Sequence, residues 1–127
     1  MLTSRSGRAS LERSQDTLSL RILQYLESLP YLTLRVEASD ATSHDECRKM
    51  QKTIPRTIGG CMLMTAVLAD RSFSFQTPDG FRTVWESKVD AFATIAAVLD
   101  IRSLDFFIAF SSMVGLLGNV GQTNYSR

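Results

Sequence analysis

The sequence predicts an α/β fold with a parallel sheet, and three observations carry that reading. Residues 61–68 and the run ending at Phe110 are almost wholly apolar over strand length, as in strands buried on both faces of a sheet. Stretches with helical periodicity separate these runs. Strands alternating with helices of this length form βαβ units, and no internal repeat or low-complexity linker interrupts the alternation.

Taken in order, Leu11, Leu18, Ile22, Tyr25, Leu26 and Leu29 recur at spacings of three, four or seven. They predict one amphipathic helix with Ser10 as N-cap and Pro30 as its stop. The alternating β-formers Tyr31 to Glu37 predict a strand, and Ala38-Ser39-Asp40 turns out of it. Ser43 followed three residues later by Glu46 is a capping box for a second helix ending before Pro55. Gly59-Gly60 punctuate, and Cys61 to Leu68 is the first buried strand. A long helix opens at Thr77-Pro78-Asp79, with proline at its first position, and carries Phe81, Val84, Trp85, Phe92, Ile95 and Leu99. Leu104 to Phe110 is the next buried strand.

A length of 127 residues suits one ordinary domain, and 44% hydrophobic with 21% charged residues is a globular balance. The net charge of +1 is spread along the chain, so neither nucleic acid nor a membrane is an expected partner. Cys47 and Cys61 lack CxxC spacing and His44 is the single histidine, so no metal site is expected and both cysteines read as reduced thiols. Apolar runs fall well short of the roughly 20 residues of a membrane span, and a soluble, cytoplasmic protein is expected. The Ser- and Arg-rich start, Met1 to Ser10, has the composition of a transit peptide.

Three residue types could carry chemistry. Lys88 falls in register with Val84, Trp85 and Phe92, so it either snorkels from the apolar stripe or crosses the helix to a site. Ser111 and Ser112 end an apolar strand, where ligands of open parallel sheets bind, although a serine pair before glycine is also an ordinary loop opening. Tyr125, alone, would be a surface tyrosine; it stands at what reads as the start of a helix.

Together they say more. Ser112 lies 13 residues and Lys88 37 residues before Tyr125, with Gly118 and Gly121 between serine and tyrosine. In order and spacing this resembles the ketoreductase domain of type I polyketide synthases, within the short-chain dehydrogenase/reductase superfamily. The style of Gly-Gln-Thr-Asn-Tyr is fungal, as in reducing synthases or hybrids with peptide synthetases. The resemblance implies that Tyr125 is the general acid, that Ser112 donates to the same substrate oxygen, and that Lys88 holds the proton relay. It implies that Ser4 and Arg5, in Leu2-Thr3-Ser4-Arg5-Ser6-Gly7, meet the 2′-phosphate of NADPH, which displaces the transit-peptide reading. Asp40 is then the acidic contact to adenine. Thr65 and Ala66 lie beside the nicotinamide ribose, with Lys88 and Tyr125 completing the cofactor contacts. Leu68-Ala69-Asp70 is similar to the Leu-Asp-Asp loop of ketoreductases giving the D-configured (B-type) alcohol, so Asp70 is a stereocontrol residue. Leu117 stands where the opposite class has tryptophan.

The implied fold is a partial Rossmann-like, doubly wound parallel sheet over residues 1–127, lacking the first strand and the Gly-rich loop. The implied chain is cut at both ends: the family's asparagine four residues beyond the tyrosine falls past Arg127. The implied activity is NADPH-dependent reduction of a β-ketoacyl thioester to a β-hydroxyacyl thioester. Its expected partners are a phosphopantetheine-bound acyl carrier protein and the other synthase domains. The isolated 127 residues are expected to be poorly folded and inactive. Two other readings stay open: an inactive structural remnant, and a free-standing short-chain dehydrogenase, which the position of Lys88 disfavours.

Overall fold

The structure, a computed structural model, describes residues 1–14 and 16–125. The chain divides into two compact units, Met1–Asp40 and Ala41–Arg127.

The first unit is a small βαβ arrangement of β1 (Leu2–Ser4), α1 (Gly7–Ser14), α2 (Thr17–Ser28) and β2 (Val36–Ala38). β1 and β2 pair in parallel, with Leu2 opposite Val36 and Ser4 opposite Ala38. The Leu2 N–H donates to the Arg35 carbonyl at 2.8 Å, and the Ser39 N–H to that of Ser4 at 2.9 Å. At the tip of β1 the Ser4 hydroxyl accepts the Gly7 N–H at 3.0 Å, fixing the turn into α1. Gly7 adopts φ 57°, and a Cβ there would lie 3.0 Å from the Ala38 nitrogen.

Where one helix capped by Ser10 was expected, there are two. Ser10 sits inside α1 and donates to the Gly7 carbonyl at 3.0 Å. Asp16 instead caps α2, accepting from the Ser19 N–H at 3.1 Å and the Ser19 hydroxyl at 2.7 Å. Those hydrogen bonds hold its carboxyl below the usual carboxylate range. α2 stops ahead of Pro30, as expected. Its anticipated apolar stripe, however, is not the buried face: Leu18, Ile22 and Tyr25 stay exposed while Leu23 is buried. A sheet of two three-residue strands offers too little surface to cover the stripe. For the same reason the strand expected from Tyr31 begins only at Val36, since β1 has just three residues to pair.

The second unit contains α3 (His44–Lys52), β3 (Gly60–Leu63), α4 (Pro78–Trp85), a π-helical turn (Glu86–Asp90), α5 (Ala91–Val98), β4 (Phe106–Ala109) and α6 (Val114–Leu117). Ser43 caps α3 by accepting the Glu46 N–H at 3.4 Å, and Thr77 caps α4 by accepting the Gly80 N–H at 3.1 Å. β3 and β4 pair in parallel from Gly60–Phe106 to Leu63–Ala109. The Asp105 N–H donates to the Gly59 carbonyl at 2.6 Å and the Phe110 N–H to that of Leu63 at 2.9 Å, extending the ladder at both ends.

One face of this sheet carries the core. Leu63 packs with Cys47, Ile95 and Leu99, and Cys61 and Phe107 join from the same face. Phe92 meets Phe107 edge to face at 5.8 Å between ring centres. On the other face Met62, Met64, Phe106, Ile108 and Phe110 are all exposed. The strands are therefore not buried on both sides as their composition suggested. They are also shorter: β3 ends at Leu63 rather than Leu68, and β4 starts at Phe106 rather than Leu104. Two strands can hydrogen-bond only over their common length, and α3 and α5 cover one face alone.

The long helix expected from Thr77 is present but interrupted. The inward positions are Val84, Ser87, Ala91 and Ile95, at ordinary helical spacing through the π turn. Trp85 and Phe92, which the 3.6-residue period aimed inward, stay exposed in part. Cys47 and Cys61 form no disulfide, and burial pushes the Cys61 thiol up. Among the described residues no helix is long and apolar enough to cross a membrane, and no group of three or more His, Cys, Asp or Glu could hold a metal ion. Gly7→Ala is expected to destabilise the first unit by about 1–2 kcal/mol, the cost of a left-handed alanine, before any strain against Ala38. Amide hydrogen exchange across residues 2–38 will measure it; unchanged protection would mean the turn tolerates a side chain.

Candidate functional site

Parallel pairing sends both chains of the second unit off the same sheet edge, where ligands of open α/β sheets bind. β3 leads into Met64-Thr65-Ala66, and β4 into Phe110-Ser111-Ser112. Thr65 is half-buried there and Ala66 exposed.

Lys88 reaches this edge from the π turn. Its half-buried side chain donates from Nζ to the Phe110 carbonyl at 3.0 Å, and Nζ stands 5.6 Å from the centre of the Tyr125 ring. That range allows attraction between an ammonium and an aromatic face. Ser112 Oγ accepts the Val114 N–H at 3.2 Å, and the Ser112 carbonyl accepts the Gly115 N–H at 3.1 Å. Ser112 is half-buried, whereas Ser111 is exposed.

Between serine and tyrosine, α6 ends at Gly118 with φ 71°, and Gly121 has φ 79°. Both glycines therefore shape the loop as their positions suggested, since left-handed backbone there disfavours any other residue. Tyr125 lies on a turn, its N–H donating to the Gln122 carbonyl at 2.9 Å. No helix has begun by that residue; the positions beyond it lie outside the described residues. Asp70 accepts from Gln122 Nε2 at 2.8 Å.

In the first unit Ser4 and Arg5 stand at the carboxyl end of β1, and Asp40 two residues past β2. Arg5 is exposed and Asp40 half-buried. The Ser39 hydroxyl is buried with no hydrogen-bond partner among the described residues. An exposed guanidinium, two serines and a carboxylate at adjacent strand ends are a donor and acceptor set suited to a phosphorylated ribose. A cavity of about 380 Å³, lined by residues including Lys52, Arg56 and Asp100, lies instead at the amino ends of β3 and β4.

Sequence reasoning did not single out Gln122 and Asn124, which are buried at 9% and 5% exposure in an otherwise open loop. Two amides between a glycine and a tyrosine were the available signal.

The fold is that of the short-chain dehydrogenase/reductase class. Its topology is similar to an N-terminal ketoreductase from the macrolactin assembly line, with a TM-score of 0.78 and 23% identity, over 98% of this chain and 25% of that one. The family model of the KR domain matches residues 1–127, and the chain belongs to this family of ketoreductase domains. It is 38% identical over 126 residues to the highly reducing polyketide synthase stpks1 of Strobilurus tenacellus, which covers 99% of this chain and 4% of the synthase. It is 34% identical over 107 residues to the highly reducing polyketide synthase aurA of Calcarisporium arbuscula, covering 80% of this chain and again 4% of the relative. The chain thus spans a small part of the length of these multidomain relatives.

Proposed function

We propose that residues 1–127 work in a fungal polyketide synthase, reducing the β-keto group of a carrier-bound acyl thioester to a β-hydroxyl. The observation that carries this reading is the approach of Lys88 to the Tyr125 ring while the same ammonium holds the carbonyl two residues before Ser112.

Tyr125 donates its phenolic proton to the keto oxygen as negative charge builds there. Ser112 already accepts one hydrogen bond at Oγ, which leaves its own O–H to donate to that oxygen. The Lys88 ammonium offsets the charge left on the phenol oxygen and carries the proton relay. NADPH, when bound, supplies the hydride. Ser4 and Arg5 would hold its 2′-phosphate and Asp40 its adenine, a role that the exposed guanidinium and the Ser39 hydroxyl, unpartnered among the described residues, suit. Thr65 and Ala66 would flank the nicotinamide ribose, and Asp70 would bias the face of reduction toward the D alcohol. The acyl chain arrives on the phosphopantetheine arm of a carrier protein, in the cytoplasm, alongside the other synthase domains.

In a synthase carrying this segment, Tyr125→Phe is expected to lower ketoreduction roughly 10²- to 10⁴-fold while leaving NADPH binding nearly intact, as befits a proton donor acting in the transition state. Turnover and cofactor titration of the variant check this, and wild-type turnover would remove Tyr125 from the chemistry. Arg5→Ala is expected to raise KM for NADPH much more than for NADH; equal effects would cancel the phosphate assignment. Chiral analysis of the reduced thioester is expected to return the D alcohol, and an L product would cancel the role given to Asp70.

A further inference from the structure

The loop that carries Tyr125 is fastened to the loop after β3 by side-chain amides. Gln122 Nε2 donates to Asp70 Oδ2 at 2.8 Å, and Gln122 Oε1 accepts from Asn119 Nδ2 at 2.8 Å. Asn124 Nδ2 donates to the Ala69 carbonyl at 3.0 Å and reaches the Gly80 carbonyl at 3.4 Å. A backbone bond runs alongside, from the Arg71 N–H to the Gly121 carbonyl at 2.9 Å. The orientation of both amides follows from their partners. A carboxylate and a carbonyl only accept, so Gln122 must turn its NH₂ to Asp70 and Asn124 its NH₂ to Ala69.

Burial shows how tightly the amides are held. Gln122 and Asn124 are at least nine-tenths buried, whereas Val120 in the same loop is 97% exposed. A buried amide that loses its partner leaves an unsatisfied polar group, so these bonds resist exchange with water. Asn124 is the residue next to Tyr125, and the Tyr125 N–H is bonded to the Gln122 carbonyl at 2.9 Å. Holding these two residues therefore holds the backbone on which the phenol pivots.

We infer that Gln122 and Asn124 are positioning residues for Tyr125, and that Asp70 acts on the reaction through Gln122, by fixing the tyrosine loop against the loop after β3. This rests on the reading of Tyr125 as proton donor. A proton donor misplaced by about 1 Å can cost roughly 10²-fold in rate, so the tether matters to turnover rather than to substrate affinity.

The test uses a full-length synthase carrying these residues, with two readouts: amide hydrogen exchange of peptides spanning 118–125, and kcat and KM for a β-ketoacyl thioester. Gln122→Glu sets two carboxylates against each other. It is expected to speed exchange in the loop and to lower kcat roughly 10- to 100-fold, with KM little changed. Adding Asp70→Asn to that variant restores a donor facing an acceptor, and both readouts should return toward wild type. Asp70→Ala and Gln122→Ala, which remove the bond without a charge clash, should each loosen the loop, and combining them should add little further loss. The inference is overturned if Gln122→Glu keeps wild-type exchange and kcat, if Asp70→Asn fails to rescue it, or if the two alanine effects simply add. A wild-type synthase without ketoreduction whose loop exchange still follows the swap would support the tether and overturn the proposed activity instead.

Discussion

The candidate site depends on the parallel pairing of β3 with β4. Parallel strands deliver their following loops to the same edge, so Thr65 and Ala66 emerge beside Ser111 and Ser112 without any side chain having to arrange it. The bond from the Phe110 N–H to the Leu63 carbonyl carries the ladder one residue past the strands. The Phe110 carbonyl is then fixed, and Lys88 donates to it. Had β4 run the other way, its serines would have left from the opposite end of the sheet.

Lys88 serves that edge from within the π turn. A lysine in line with an apolar stripe competes with the core for space unless its stem runs to the edge of that stripe. Here Ser87 and Ala91 take the inward positions, at ordinary helical spacing from Val84, and half-buried Lys88 turns its Nζ to the Phe110 carbonyl. Ser87 is satisfied in place, its hydroxyl donating to the Val84 carbonyl at 2.7 Å. The helix thus spends one uneven coil where the chemistry sits, and it is regular on either side.

The loop from Gly118 to Tyr125 has almost no apolar anchorage, since Val120 is exposed to solvent, as is Leu117 just before it. Polar bonds hold it instead. Such bonds are each modest in net energy but demanding in geometry, because a displaced amide forfeits a buried hydrogen bond and regains no water. A loop fixed in this way is held in one place without being thickly packed, which suits a segment presenting a single phenol.

Element type was largely legible in the sequence because it rests on local chemistry: the Ser43 and Thr77 caps, Pro78 at a helix start and the stop before Pro30 depend on neighbours a few residues away. The spacing of Lys88, Ser112 and Tyr125 was legible too, as was the need for glycine at 118 and 121. Burial was not. Met62 and Leu63 are equally apolar, and only the placement of α3 and α5 on one face decides that Leu63 is covered and Met62 is not. Strand length likewise waited for the partner, since an apolar run pairs only as far as its neighbour extends. The roles of Gln122 and Asn124 were hidden because their acceptors, Asp70 and the carbonyls of Ala69 and Gly80, lie 44 to 55 residues away in the chain. The sequence by itself determined which groups are present and where the backbone can turn. Only the tertiary structure decided which of them meet, because hydrogen bonds and burial are settled by distance in space.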